Sequence, residues 1–201
     1  MKTIRHAVAA AAALCLLSLA ASAQAPPGHV RGTIESLSGD TLTIRTESGE
    51  TEKIELAPNW NVTVLKRIGI DAIKPGSFIG TAEMPQRNGT GRSLEVHVFP
   101  PGVKAGEGHY AWDLRKGSMM TNGTVGQVKS VRSGREVTVT YPHGERRLIV
   151  PRNVPIVEFT NGERSQVKPG IPVFLIVASS SGGALSSTGV AIGENGAKPP
   201  M

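Results

Sequence analysis

The sequence predicts an all-β protein built of two small closed barrels in tandem, placed after an export signal. Three observations carry that prediction. Apolar residues alternate with polar ones in short runs, the period of a half-buried strand. Gly (24) and Pro (14) punctuate those runs along the 201 residues, more turn formers than helical architectures carry. The same ordered set of strand and turn motifs also occurs twice, 94 residues apart. The remaining composition agrees: two Trp, two Tyr, four Phe, one Cys, and 22 Lys and Arg against 16 Asp and Glu, net +6. It excludes a coiled coil, a helical bundle, a multi-pass membrane protein and a large α/β enzyme.

Residues 1–23 read as a secretory signal peptide. Lys2 and Arg5 precede an apolar run from Ala7 to Leu19, and Ala21-Ser22-Ala23 supplies the small-residue cleavage site. The run is shorter than the roughly 20 residues a membrane span needs. Leu14 is too bulky for a lipoprotein site before Cys15, so the one cysteine leaves with the signal. The mature chain then has no disulfide, thiolate metal site or cysteine nucleophile. No later stretch approaches transmembrane length, and the expected location is periplasmic or secreted.

The first repeat is expected over 24–99. Val30-Arg31-Gly32-Thr33-Ile34 opens a strand, and Leu42 and Ile44 alternate with Thr41, Thr43 and Arg45. Glu47-Ser48-Gly49-Glu50 turns the chain into Ile54 and Leu56, a hairpin with a glycine-containing loop. Lys74-Pro75-Gly76 suits a type II turn, because Pro fixes φ at one central position and Gly accepts φ > 0 at the next. Strands at Phe78–Met84 and around Leu94, Val96 and Val98 complete the unit.

The second repeat, 124–193, follows the same order. Gly126 is matched to Gly32, then come Val137 and Val139, the Pro142-His143-Gly144-Glu145 turn, and Leu148 and Val150. Val167-Lys168-Pro169-Gly170 repeats the Lys-Pro-Gly turn, and Pro172–Ala178 and Thr188–Ile192 are the last strands. So many short strands avoid exposed edges best by closing on themselves. Residues 194–201 are expected to be a flexible tail.

These motifs, Val-x-Gly-x-Ile, a hairpin, then Lys-Pro-Gly before a strand, resemble a group of exported bacterial domains of unknown function. The resemblance covers both repeats and implies OB-like β-barrels. Some related exported chains carry labels that mention metal transport, including permease. With no span after residue 23, any metal role here would be accessory.

Residues 100–123 break the β pattern and form a connecting segment. A plain linker would hold only Gly, Ser and Pro, whereas this one holds His109, Tyr110, Trp112, Asp113, Met119 and Met120. Its Gly-Glu-Gly-His-Tyr-x-Trp-Asp run and the following Ser-Met-Met-Thr-Asn-Gly resemble segments of those related chains. One reading makes His109, Met119 and Met120 a soft, copper-type metal site, with Asp113 or Glu107 adding oxygen and His97 approaching from the preceding strand. The other makes Tyr110, Trp112 and the methionines a plug between two barrels. Adjacent residues of an extended chain point apart, so Met119 and Met120 need a turn to share a ligand.

Outside this segment, His97 alternates with Val96 and Val98 and is expected to face outward beside Glu95 and Phe99. Phe174 reads as core. No zinc-protease, nucleophile-elbow, phosphate-loop or dinucleotide motif is present, and the protein is expected not to be an enzyme. Residues 124–178 carry eight basic residues against four acidic. Arg132, Arg135, Arg146 and Arg147 would form a basic face there, suited to an anionic envelope polymer and less to nucleic acid, which an exported protein seldom meets. The expected function is a non-enzymatic periplasmic binding or scaffold module with an unknown envelope ligand or protein partner. An accessory metal binder and a polyanion binder are the alternatives, and no cofactor beyond copper is implied.

Overall fold

The computed structural model describes residues 27–201, so the proposed signal peptide lies outside the described residues. Thirteen strands follow one another. They are β1 (Gly28–Ser38), β2 (Thr41–Thr46), β3 (Thr51–Arg67), β4 (Phe78–Pro85), β5 (Gly91–Ser93), β6 (Val96–Val98) and β7 (Gly108–Ala111). Then come β8 (Met119–Val131), β9 (Gly134–Tyr141), β10 (Gly144–Pro151), β11 (Ile156–Gly162), β12 (Pro172–Ser179) and β13 (Leu185–Gly193). The protein is all-β, and no helix among the described residues is long and apolar enough to cross a membrane.

The pairings close a five-stranded barrel. β1 pairs with β2, β2 with β3, β3 runs parallel to β13, β13 pairs with β12, and β12 returns to β1. Its interior holds Ile34, Leu42, Ile44, Ile54, Trp60, Leu175 and Ile192. Five of the remaining eight strands pair in a matching circuit: β8 with β9, β9 with β10, β10 parallel to β5, β5 with β4, and β4 with β8, while β6, β7 and β11 add to its sides. Ile79, Val96, Val125, Val137, Val139, Leu148 and Val150 fill that interior.

Neither circuit is a contiguous stretch of sequence. The first takes β1–β3 from residues 28–67 and its last two strands from 172–193; the second takes β8–β10 from 119–151 and completes itself with β4 and β5. The expected division into one barrel at 24–99 and another at 124–193 therefore differs from the observed pairing. The reason lies in β3. This 17-residue strand pairs with β2 over Thr51–Glu55 and with β13 from Ile54 to Leu65, and its last part, Val62–Arg67, also pairs on its other edge with β11 from the other half of the chain.

The 94-residue spacing recurs in the registers. Gly91 pairs with Leu148 and Leu185 with Ile54, and Val96 pairs with Ile156 as Val190 does with Val62. At the start of each repeat the structure shifts the match. Ile34 faces Ile44 and Leu37 faces Leu42, while Val125 faces Val139 and Val128 faces Val137. The partner of Gly32 is thus Gly123, not Gly126. A Cβ on either Gly32 or Gly123 would run into a carbonyl of the neighbouring strand, that of Arg45 or Thr140, whereas a Cβ on Gly126 meets nothing closer than ordinary contact. Close backbone approach, not sequence offset, selects the equivalent glycine.

A third cluster joins the two barrels: Leu65, Val157, Phe174 and Met201, with Trp112 and Phe159 packed on it. The tail is part of it. Met201 is buried and its carbonyl accepts from Arg31 Nε at 2.6 Å, so the end of the chain is docked rather than free.

Candidate functional site

The connecting segment folds back as β7, which pairs with β8 on the opposite side from β4. A short loop, 112–118, follows, closed by Trp112 N–H to the Ser118 carbonyl (2.9 Å) and by Ser118 Oγ to the carbonyls of Trp112 and Arg115. Asp113 then ties this loop to β1, accepting from Arg31 Nη2 at 2.6 Å and contacting His29 Nδ1 at 3.0 Å. Burial pushes the Asp113 carboxyl up, but the hydrogen bonds and charges of Arg31 and His29 outweigh it and hold it below its ordinary value. The Trp112 ring lies 4.1 Å from the His29 ring, centroid to centroid.

Strand alternation separates the proposed metal ligands. His109 faces Thr121, and Met119 faces both Ala111 and Glu83, which places His109 and Met119 on the inward face of the second barrel. Met120 faces Tyr110 and Ala82 on the outer face and is buried. The three cannot meet on one ion, and among the described residues no three His, Cys, Asp or Glu side chains form a metal-holding group.

His109 instead belongs to a polar cluster at the mouth of the second barrel. Glu83, fully buried, accepts from Arg146 Nε at 2.7 Å and lies 3.6 Å from His109 Nδ1, which is 2.8 Å from Thr121 Oγ1. Burial lowers the His109 pKa, the Glu83 carboxylate raises it, and Arg146 lowers it again; the net shift is downward. Glu83 Oε2 has no partner and rests against Gly91, where a Cβ would collide with it.

The four arginines do not make one face. Arg146 points into that cluster, Arg147 beside it is exposed, Arg135 pairs with Asp71, and Arg132 is exposed at the β8–β9 turn.

What the tertiary structure does assemble is a cleft of about 320 Å3 at the seam of the two barrels. Tyr110, Trp112, Met120 and Asn122 come from the connecting segment and β8, and His97, Phe99 and Phe159 from β6, the loop after it and β11. Phe174, Ile176 and Met201 form the opposite wall. A volume of this order suits a small organic molecule. The rings are ordered on one another: His97 stacks on Phe159 at 5.0 Å and 11°, and Phe99 stands edge-on to both.

His97 is the polar centre of this wall. It faces out of its own barrel, as alternation requires, yet it is buried because the other barrel covers that face. Its Nδ1 lies 3.1 Å from Glu95 Oε2, and Glu95 Oε1 accepts the Ala82 N–H at 2.5 Å, so a fully buried carboxylate orients the ring. Asn122 Nδ2 donates to the Gly106 carbonyl (2.9 Å) and to Tyr110 Oη (3.0 Å), leaving Oδ1 unpartnered. His97 Nε2 and Asn122 Oδ1 occupy the space beside Gly80 where a Cβ would sit, which explains a glycine in mid-strand.

Of the residues singled out in the sequence, Tyr110, Trp112 and Met120 line the cleft and Asp113 does not; His97 was considered only as a further metal ligand, and Asn122, Phe159 and the buried Glu95 behind His97 were not singled out as site residues. Gly80 inside the Phe78–Met84 run was the one available signal, since an isolated strand glycine marks close approach. No family model, curated protein or solved structure matches the chain.

Proposed function

We propose that the protein is a non-enzymatic binding module of the bacterial envelope. In this reading it consists of two OB-like barrels of common ancestry that exchange their last two strands, and it holds a small ligand in the seam cleft. The observation that carries the proposal is the cleft itself, about 320 Å3, walled by aromatic side chains from both barrels and from the connecting segment. Apolar walls with a few converging polar groups are the usual make-up of a small-molecule site. The order of pairing, with the third strand parallel to the fifth, supports the OB-like reading. An envelope location rests on the basic, apolar and Ala-x-Ala segments of the first 23 residues.

A titration with the apolar fluorescent dye N-phenyl-1-naphthylamine tests the site, because Trp112 lines the cleft whereas Trp60 is buried in the first barrel. The dye should quench Trp fluorescence saturably, with one dye per chain. Ala191→Phe, which fills the cleft from β13, should abolish the quenching while the protein stays folded. Unsaturable or unchanged quenching in that variant would remove the site.

A further inference from the structure

We infer that the seam cleft selects a ring-bearing organic amine in its protonated form; this rests on the cleft being the binding site. Three features of the cleft point to a cation with N–H donors.

The first is a pair of acceptors with no donor between them. Glu95 Oε2 accepts from His97 Nδ1–H, so in the neutral imidazole Nε2 presents a lone pair. Asn122 Oδ1, beside it at Gly80, has both amide hydrogens committed elsewhere and has no partner of its own. The two acceptors lie side by side against Gly80, so one donor approaching from the cleft is within reach of both. Both residues are more than nine-tenths buried and both line the cleft.

The second is charge. The Glu95 carboxylate is fully buried behind His97, and no Lys or Arg is among the residues lining the cleft. A cation entering there meets a carboxylate one ring away, while Arg31, which lies over the Phe174 ring, is already paired with Asp113. The third is the wall, since Phe99, Tyr110, Trp112 and Phe159 line the same cleft as the acceptors. Aromatic faces attract ammonium groups, and more strongly where water is excluded. A primary ammonium on a ring would place its N–H groups on Nε2 and Oδ1 and its ring among those side chains.

Calorimetry with benzylamine and its neutral isostere benzyl alcohol on the intact protein tests this directly. The amine should bind about tenfold more tightly than the alcohol. His97→Gln should erase that preference, its folding checked by thermal melting. Equal affinities in the wild type would overturn the inference. A preference that survives His97→Gln would overturn it too. If neither ring binds while the naphthylamine dye still does, the inference fails and the cleft reading stands; if the dye also fails, both fall.

Discussion

Leu65 and Phe159 lie directly opposite one another in the β3–β11 pair, and 94 residues separate them. That is the spacing that relates the two sets of barrel pairings, so every other pair along these strands has its counterpart about this point: Arg67 with Val157, and Thr63 with Asn161. The pairings on either side of Leu65 and Phe159 are therefore related by this offset, and strands from both parts of the chain enter each circuit.

The arrangement predicts what half the chain does alone. Residues 24–99 hold β1–β6 but lack β12 and β13, which close the barrel around β1 and β3. Two copies can repair both barrels by the same exchange, with Leu65 facing Leu65. Light scattering after gel filtration should give a dimer of the fragment, as expected for exchange of identical elements between copies. A folded monomer would show that the fragment closes a barrel from its own strands, against the exchange.

Gly91→Ala places a methyl group on Glu83 Oε2, inside the cluster that Arg146 completes. Neither the buried carboxylate nor strand β5 has room to yield. The substitution should cost about 2–4 kcal/mol in urea unfolding, while Gly89→Ala in the adjacent turn, open but at φ 79°, should cost about 1 kcal/mol.

His109 predicts a pH dependence near neutrality. Its pKa is lowered in the fold, so the unfolded chain binds its proton more readily. The associated stability is complete above the unfolded value of about 6.5. It declines as pH falls from there through the lower folded value. Urea midpoints between pH 7.5 and 5 should fall in the wild type and stay flatter in His109→Gln.

Asp113 acts at the acid end. Its folded pKa lies below the ordinary carboxylate value, so its contribution is present above about 3.9. It is lost as pH drops through the folded value. The side chain is half exposed, and Asp113→Asn should cost no more than about 1 kcal/mol at pH 7. The diagnostic result is a shallower acid limb in thermal melts, together with a red shift of Trp112 emission as the 112–118 loop loosens from β1.

The all-β class, the Lys-Pro-Gly turns and most strand positions were legible in the sequence because each is a local matter. Alternation fixes which residues of a strand are buried, and Pro75-Gly76 and Pro169-Gly170 fix turns whatever lies beyond them; both glycines take positive φ, 86° and 87°. What the sequence could not decide is which strands share a barrel, since Leu185 satisfies Ile54 as well as Gly91 could. That choice shows in β3, whose edges are taken by β13 and β11 from the other half of the chain. The cleft follows from the same choice: His97 points away from its own barrel by local rule, and only the barrel laid against it makes that outward face a buried one. Alternation acts within a strand, whereas burial of its outer face depends on a partner far along the chain.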